Sequence, residues 1–163
     1  MIRPCTADDV AVIEGVINDA AEAYRGIIPA DCWHEPYMPR AHLLAEIAQG
    51  VAFSCWEEAG SILGVMGLQE VGDVTLIRHA YVRSADQRHG IGGALLAALA
   101  TPISRPLLVG TWAAAQWAVR FYQRHGFAQV GAAETDRLLQ LYWRIPARQR
   151  ESSVVLARQE AAA

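Results

Sequence analysis

The stretch Val82-Arg83-Ser84-Ala85-Asp86-Gln87-Arg88-His89-Gly90-Ile91-Gly92-Gly93-Ala94-Leu95-Leu96 runs from a strand-like segment through a glycine-bearing turn into an apolar helix. It limits the fold more than any other part of the chain. Glycines ahead of a helix clear side chains from its N-terminus, so unpaired N–H groups and the positive end of the helix dipole face whatever sits above, ideally a diphosphate. Arg88 and His89 add donors beside it. A Walker loop requires Gly-Lys followed by Ser or Thr, which the chain lacks. The dinucleotide fingerprint requires a glycine where Leu95 stands and an acidic residue roughly 20 positions later, and neither is present. A tight turn with no ligand is the plain alternative for such a glycine pattern taken alone.

The periodicities around the turn lay out one domain over residues 1–163. Thr6 and Asp9 resemble a capping box, and Val10, Ile13, Ile17, Ala20 and Tyr24 recur at helical spacing, predicting a first helix over 7–24. Residues 25–39 hold Gly26, three prolines and Trp33, an irregular loop before a second short helix that Gly50 ends. Three adjacent antiparallel strands are expected within 51–82, then a helix carrying Leu95, Leu96 and Leu99 and a strand at 107–109. A helix over 114–125 stopped by Gly126, a strand at 127–130, a helix at 138–143, a strand at 154–156 and a tail fraying over 158–163 complete the chain. Hairpins followed by strand-helix alternation predict an α/β fold with a mixed, mostly antiparallel sheet and helices on both faces. The apolar strand Val154-Val155-Leu156 is read as a sheet edge open to a homodimer contact.

Gln87-x-x-Gly90-x-Gly92 resembles the acetyl-coenzyme A signature of the GNAT superfamily of N-acetyltransferases. Phe121, Tyr122, Gly126 and Phe127 resemble the motif that closes that family's fourth helix, and the order of elements agrees over residues 1 to 131. The resemblance implies acetyl-coenzyme A as donor, its pantetheine arm beside Ala80, Tyr81 and Val82, and its diphosphate at Gln87, Arg88, His89, Gly90, Ile91, Gly92 and Gly93. It also implies that Tyr122 lies near the coenzyme sulfur and protonates the departing thiolate. Two positions depart from the family pattern: Ala115 stands where many members carry Asn, and Leu76 where many carry a strand Glu that serves as base.

Forming an amide from a thioester needs a neutral amine, whereas an alkylammonium has a pKa near ~10.4, so a base or desolvation is required. His79 is the nearest titratable replacement for the missing Glu, although simple alternation puts it on the face opposite Leu76 and Ala80. A structural histidine is the competing reading, and Glu70, Asp31, His34 or a chain of waters also remain open. Tyr24, Trp33, Tyr37 and Trp112 are candidates to line an amine pocket, with plain packing as the alternative.

Composition excludes several classes. Apolar residues at 53% suit a packed core, and a net charge of −3 without a basic cluster argues against nucleic acid. Cys5, Cys32 and Cys55 form no paired motif, so neither disulfides nor zinc is expected, and the histidines show no ligand spacing for any metal. No apolar run suggests a signal peptide or a membrane span, which reads as a soluble cytoplasmic protein. Two functions stay in play: acetyl transfer to a primary amine, on a small molecule or a protein, and a non-catalytic acyl-coenzyme A sensor that has lost the base.

Overall fold

The computed structural model describes residues 1–160. Strands β1 (Ile2–Pro4), β2 (Ala52–Glu58), β3 (Ser61–Val71), β4 (Val74–Val82), β5 (Leu107–Trp112), β6 (Phe127–Gln129) and β7 (Ser153–Arg158) form one sheet in the order β1-β2-β3-β4-β5-β7-β6. Only β4 and β5 pair in parallel; the other neighbours are antiparallel. The helices are α1 (Val10–Ala21), α2 (Arg40–Ala48), α3 (Ile91–Ala100), α4 (Gln116–Arg124), α5 (Ala132–Leu138) and α6 (Ala147–Glu151).

Alternation along the central strands sends apolar side chains to both faces, and each face is covered. Ile77, Val109 and Leu156 pack with Leu95 and Leu96 of α3 and with Val119 and Tyr122 of α4. On the other face Phe53, Cys55 and Val65 meet Ile13, Val16 and Ile17 of α1 and Leu43 of α2, while Leu76, Leu108 and Val155 meet Leu138 and Leu139. A strand buried on both faces loses its polar alternation, which is why Leu76-Ile77 and Leu107-Leu108-Val109 are apolar at successive positions.

β4 and β5 stay together for only three residue pairs, Thr75–Leu107, Leu76–Leu108 and Ile77–Val109. Beyond them β5 continues against β7, from Gly110–Val155 to Trp112–Ser153, and β4 continues against β3 alone. The two strands therefore splay, and the β5-facing edge of β4 from Arg78 to Val82 has no strand partner.

A bulge sits in that splayed part. Gly67 pairs with Arg78 and Val65 with Tyr81, so Met66 alone opposes both His79 and Ala80, and His79 takes the left-handed conformation with φ 55°. The extra residue overturns the alternation expected for His79. Its ring lies with Phe53 and Tyr81, on the same face as Leu76 and Arg78, while Ala80 turns to the α3 face. Gly67 makes the bulge possible, because a Cβ there would stand 2.9 Å from the Arg78 carbonyl oxygen and 2.7 Å from Val51 Cγ1. Gly67→Ala is expected to cost about 2–3 kcal/mol by overpacking, read as a lower urea midpoint; an unchanged midpoint contradicts it.

Three expectations change. β7 lies between β5 and β6, so Val154-Val155-Leu156 is interior, and the free edges are β1 and β6. The helix expected at 138–143 begins six residues earlier at Ala132 and finishes as a π-helical turn over Leu139–Trp143. At the C-terminus β7 runs through Arg158, whose guanidinium donates to the carbonyls of Ala100 at 2.7 Å and Ile103 at 2.6 Å, and the Gln159 amide donates to the Gly126 carbonyl at 2.9 Å. Residues 161–163 of the expected frayed tail lie outside the described residues.

Candidate active site

The glycine turn is held by side chains before it and left open after. The Ser84 amide donates to the Asp19 carboxylate at 2.7 Å, tying the turn to α1, and the Gln87 side-chain amide donates to the Val82 carbonyl at 3.1 Å. Arg88 and Gly90 both adopt positive φ, 68° and 80°, which twists the chain into α3. The main-chain amides of Gln87 through Gly93 make no hydrogen bond within the described residues, and the Ala94 amide, bonded to the Gly90 carbonyl at 3.0 Å, is the first to do so. Consecutive free amides joined to a helix N-terminus form an anion cradle. Gly64 lets α3 settle on the sheet, since a Cβ there would meet Ile91 Cγ2 at 2.9 Å.

The cradle opens onto a groove of about 710 Å³ on the α3 and α4 face of the split. Ala80, Tyr81, Val82, Gln87, Arg88, Gly90, Ile91, Gly92 and Gly93 all border it, together with Phe121, Tyr122, Arg124 and His125 from α4 and its end. His89 does not border the groove; its Nδ1 lies 3.2 Å from the Asp86 carbonyl oxygen. His125 does, a residue that sequence reading left out of the site. Its Nδ1 bonds the Phe121 carbonyl at 2.8 Å and its Nε2 lies 2.8 Å from where a Cβ on Gly93 would stand.

Tyr122 is buried between Phe121 and Phe127, and its phenol oxygen has no hydrogen-bond partner among the described residues. Burial, with the nearby Tyr24 phenol adding to it, pushes its pKa well above the ordinary phenol value. The group therefore stays protonated at neutral pH and holds an uncommitted proton. Ala115 is fully buried among Ala21, Tyr24, Ile28 and Trp112. Leu76 is fully buried in the opposite core, so no base stands at the strand position where many family members carry Glu.

A second cavity of about 740 Å³ lies on the α1 and α2 face of the same split. Tyr24 and Tyr81 border both spaces, with their hydroxyls 3.4 Å apart, and so mark where the two meet. Trp112 closes one side, its indole N–H donating to the Tyr37 hydroxyl at 2.8 Å. The loop carrying Tyr37 is pinned to α1, where Asn18 donates to the Met38 carbonyl at 2.9 Å and accepts from the Met38 amide at 2.7 Å. Trp33 does not border the cavity. Its ring packs behind Tyr37 at 5.8 Å and under the Arg25 guanidinium at 4.6 Å.

His79 faces this second cavity, and its Nε2 is hydrogen-bonded to the Glu46 carboxylate. Glu46 also accepts from Arg78 at 2.8 Å and lies 3.3 Å from His42 Nε2, with only 9% of its side chain exposed. Burial alone would raise its pKa, but the His79 hydrogen bond and the charges of His79, Arg78 and His42 outweigh that and hold the carboxyl below its ordinary value. Sequence reading missed Glu46. The signal was a charged residue three positions after buried Leu43, on the face of α2 that meets the core. Of the other candidate bases, Asp31 is held by Arg148 at 2.8 Å, His34 borders the cavity, and Glu70 is 75% exposed near Arg105 and borders neither space. Cys55 is buried, Cys32 borders the second cavity, and burial beside Cys55 pushes the Cys5 thiol up to about 12.

Asp9 and Glu46 are depressed carboxyls with little of the side chain exposed. Arg3 donates to Asp9 at 2.9 Å and 3.1 Å, and these bonds with the Thr6 amide hold Asp9 at about 2. A carboxyl whose folded pKa lies below its unfolded value of ~3.9 stabilises the fold above that value, and the contribution fades as pH falls through the folded pKa. Glu46 has the same sign. Urea midpoints are therefore expected to drop between about pH 4 and pH 2, less steeply in Asp9→Asn; a flat profile contradicts this.

Among the described residues no group of three or more His, Cys, Asp or Glu is placed to hold a metal ion, and no helix is long and apolar enough to cross a membrane. Residues 11–140 match the family model of the acetyltransferase (GNAT) domain. No curated protein matches the chain in sequence. Among solved structures, the PaiA N-acetyltransferase of Thermoplasma acidophilum, in complex with coenzyme A, aligns over 98% of this chain and 98% of its own at 16% identity and a TM-score of 0.74. The ribosomal-protein-alanine N-acetyltransferase of Brucella melitensis aligns over 98% and 99% at 18% identity and a TM-score of 0.67. The N-acetylglutamate synthase of Neisseria gonorrhoeae, complexed with coenzyme A and N-acetyl-glutamate, aligns over 97% of this chain and 34% of its own at 23% identity and a TM-score of 0.65. These structures share the fold, and the domain match covers most of the chain: the protein belongs to the GNAT family of acetyltransferases.

Proposed function

We propose that the protein moves an acetyl group from acetyl-coenzyme A directly to a primary amine, and that the acceptor is a small molecule. The observation that carries this reading is the pair of spaces meeting at the split. One holds the amide cradle and Tyr122, the other holds His79 backed by Glu46, and Tyr24 and Tyr81 border both. The coenzyme supplies the thioester and its thiol leaving group. In this reading the amides of Gln87 to Gly93 and the Arg88 side chain hold its diphosphate, and the unpaired β4 edge from Arg78 to Val82 lies along its pantetheine arm. A β4 edge N–H near Val82 polarises the thioester oxygen.

On the acceptor side His79 takes a proton from the ammonium, and the buried Glu46 carboxylate stabilises the imidazolium so formed. Tyr122 gives its proton to the departing sulfur. Of the two protons the ammonium gives up, one leaves through His79 and one replaces the proton that Tyr122 passed to the thiol. The three cysteines are free, in keeping with a reducing compartment such as the cytoplasm.

Free thiol release from acetyl-coenzyme A, followed across an amine panel, tests the proposal. Amine-dependent release supports transfer, while coenzyme binding without release on any amine supports a sensor instead. His79→Gln is expected to lower kcat by about 10²-fold with coenzyme affinity unchanged; an undiminished rate removes His79 from the chemistry.

A further inference from the structure

Five aromatic side chains wall the cavity on the α1 and α2 side: Tyr24, Tyr37, Tyr81, Trp112 and Trp143. Trp143 gets there because β5 carries Gly110 beneath it, where a Cβ would stand 3.2 Å from the indole ring. The charged groups bordering the same space are already matched. Glu46 is held by Arg78 and His79. Asp31 is bound by both arms of Arg148 at 2.8 Å and 3.2 Å, and Glu35 by Arg25 at 2.6 Å. The last two pairs lie at the exposed rim, where ion pairs are weak. The Glu46 group is buried, and breaking it leaves a charge without a partner.

The consequences differ by acceptor class. A polyamine needs a second carboxylate free to meet its distal ammonium, and an α-amino acid needs a free cation for its carboxylate; no carboxylate or guanidinium stands unpaired along these walls, and His34, which has no partner among the described residues, is exposed. A single ammonium needs only aromatic walls until it is deprotonated, and Tyr24, Tyr37 and Tyr81 border the cavity together with His79. A volume of about 740 Å³ accommodates an aryl group with its alkyl arm.

Resting on the acetyl-transfer reading, we infer that the acceptor is a monoamine on an aromatic body, an arylalkylamine, with Trp143 and Trp112 as the residues that select it. The test is calorimetric titration of phenethylamine, tryptamine, spermidine and L-glutamate onto the protein saturated with coenzyme A, alongside kcat/KM for each from thiol release. The arylalkylamines are expected to bind at least about tenfold tighter than spermidine or glutamate, and Trp143→Ala to remove about tenfold of that affinity. Trp143→Leu keeps apolar packing over Gly110 and is expected to lose the same preference with coenzyme affinity unchanged. Arylalkylamine binding without thiol release counts against acetyl transfer and leaves the acceptor class standing. Equal or tighter binding of spermidine or glutamate, or no arylalkylamine binding, overturns the inference.

Discussion

Tyr122→Phe is expected to lower kcat by about 10²- to 10³-fold while coenzyme affinity stays within about twofold of the original. The change removes one oxygen from a buried ring whose packing against Phe121 and Phe127 does not involve that oxygen. Stability and groove shape therefore survive. In the proposed reading the chemistry loses its proton donor, because burial keeps this phenol protonated and no other hydroxyl hydrogen-bonds to it among the described residues. The effect should appear in kcat and kcat/KM alike, since a donor to the leaving group acts only as the bond breaks. An unchanged kcat assigns Tyr122 to packing.

The other large effect lies at Glu46. Glu46→Gln keeps the volume but leaves Arg78 without its buried counter-charge, and such removals cost about 3–5 kcal/mol. Arg78 retains a bond to Gln69 at 2.9 Å, which places the expected loss at the lower end, about 3 kcal/mol. In the proposed reading the same change weakens the proton acceptor, because an imidazolium formed at His79 loses the carboxylate hydrogen-bonded to it. The pH profile of kcat is expected to change in Glu46→Gln even at temperatures where the variant is fully folded. A loss of stability with an unaltered profile reduces Glu46 to a structural residue.

The parts of this site that were legible in the sequence are those written locally. Gly90, Gly92 and Gly93 ahead of Leu95 and Leu96 state a turn into a helix within a few residues, and the free amides follow from that turn. The meander from β2 to β4 was legible for the same reason: its strands are joined by tight turns, with Gly60 and Gly72 at positive φ. What stayed hidden depends on distant pairing. β7 enters between β5 and β6 because its register with both buries Val155 and Leu156, and no local pattern announces that order.

His79 shows the limit most sharply. Alternation put its side chain on the wrong face, because a single extra residue opposite Met66 shifts the period by one. That shift is what brings His79 to Glu46, 33 positions earlier on α2. Trp33 failed differently. An aromatic residue in a loop is equally able to face a cavity or to support one that does, and Tyr37 took the facing role.

Titration with coenzyme A followed by amide ¹H–¹⁵N shifts reads the amide cradle one N–H at a time. The largest changes are expected at the seven consecutive main-chain amides from Gln87 to Gly93, with those of Arg78 to Val82 moving next. Saturating coenzyme that leaves these amides unmoved, or that moves a different surface, contradicts the account.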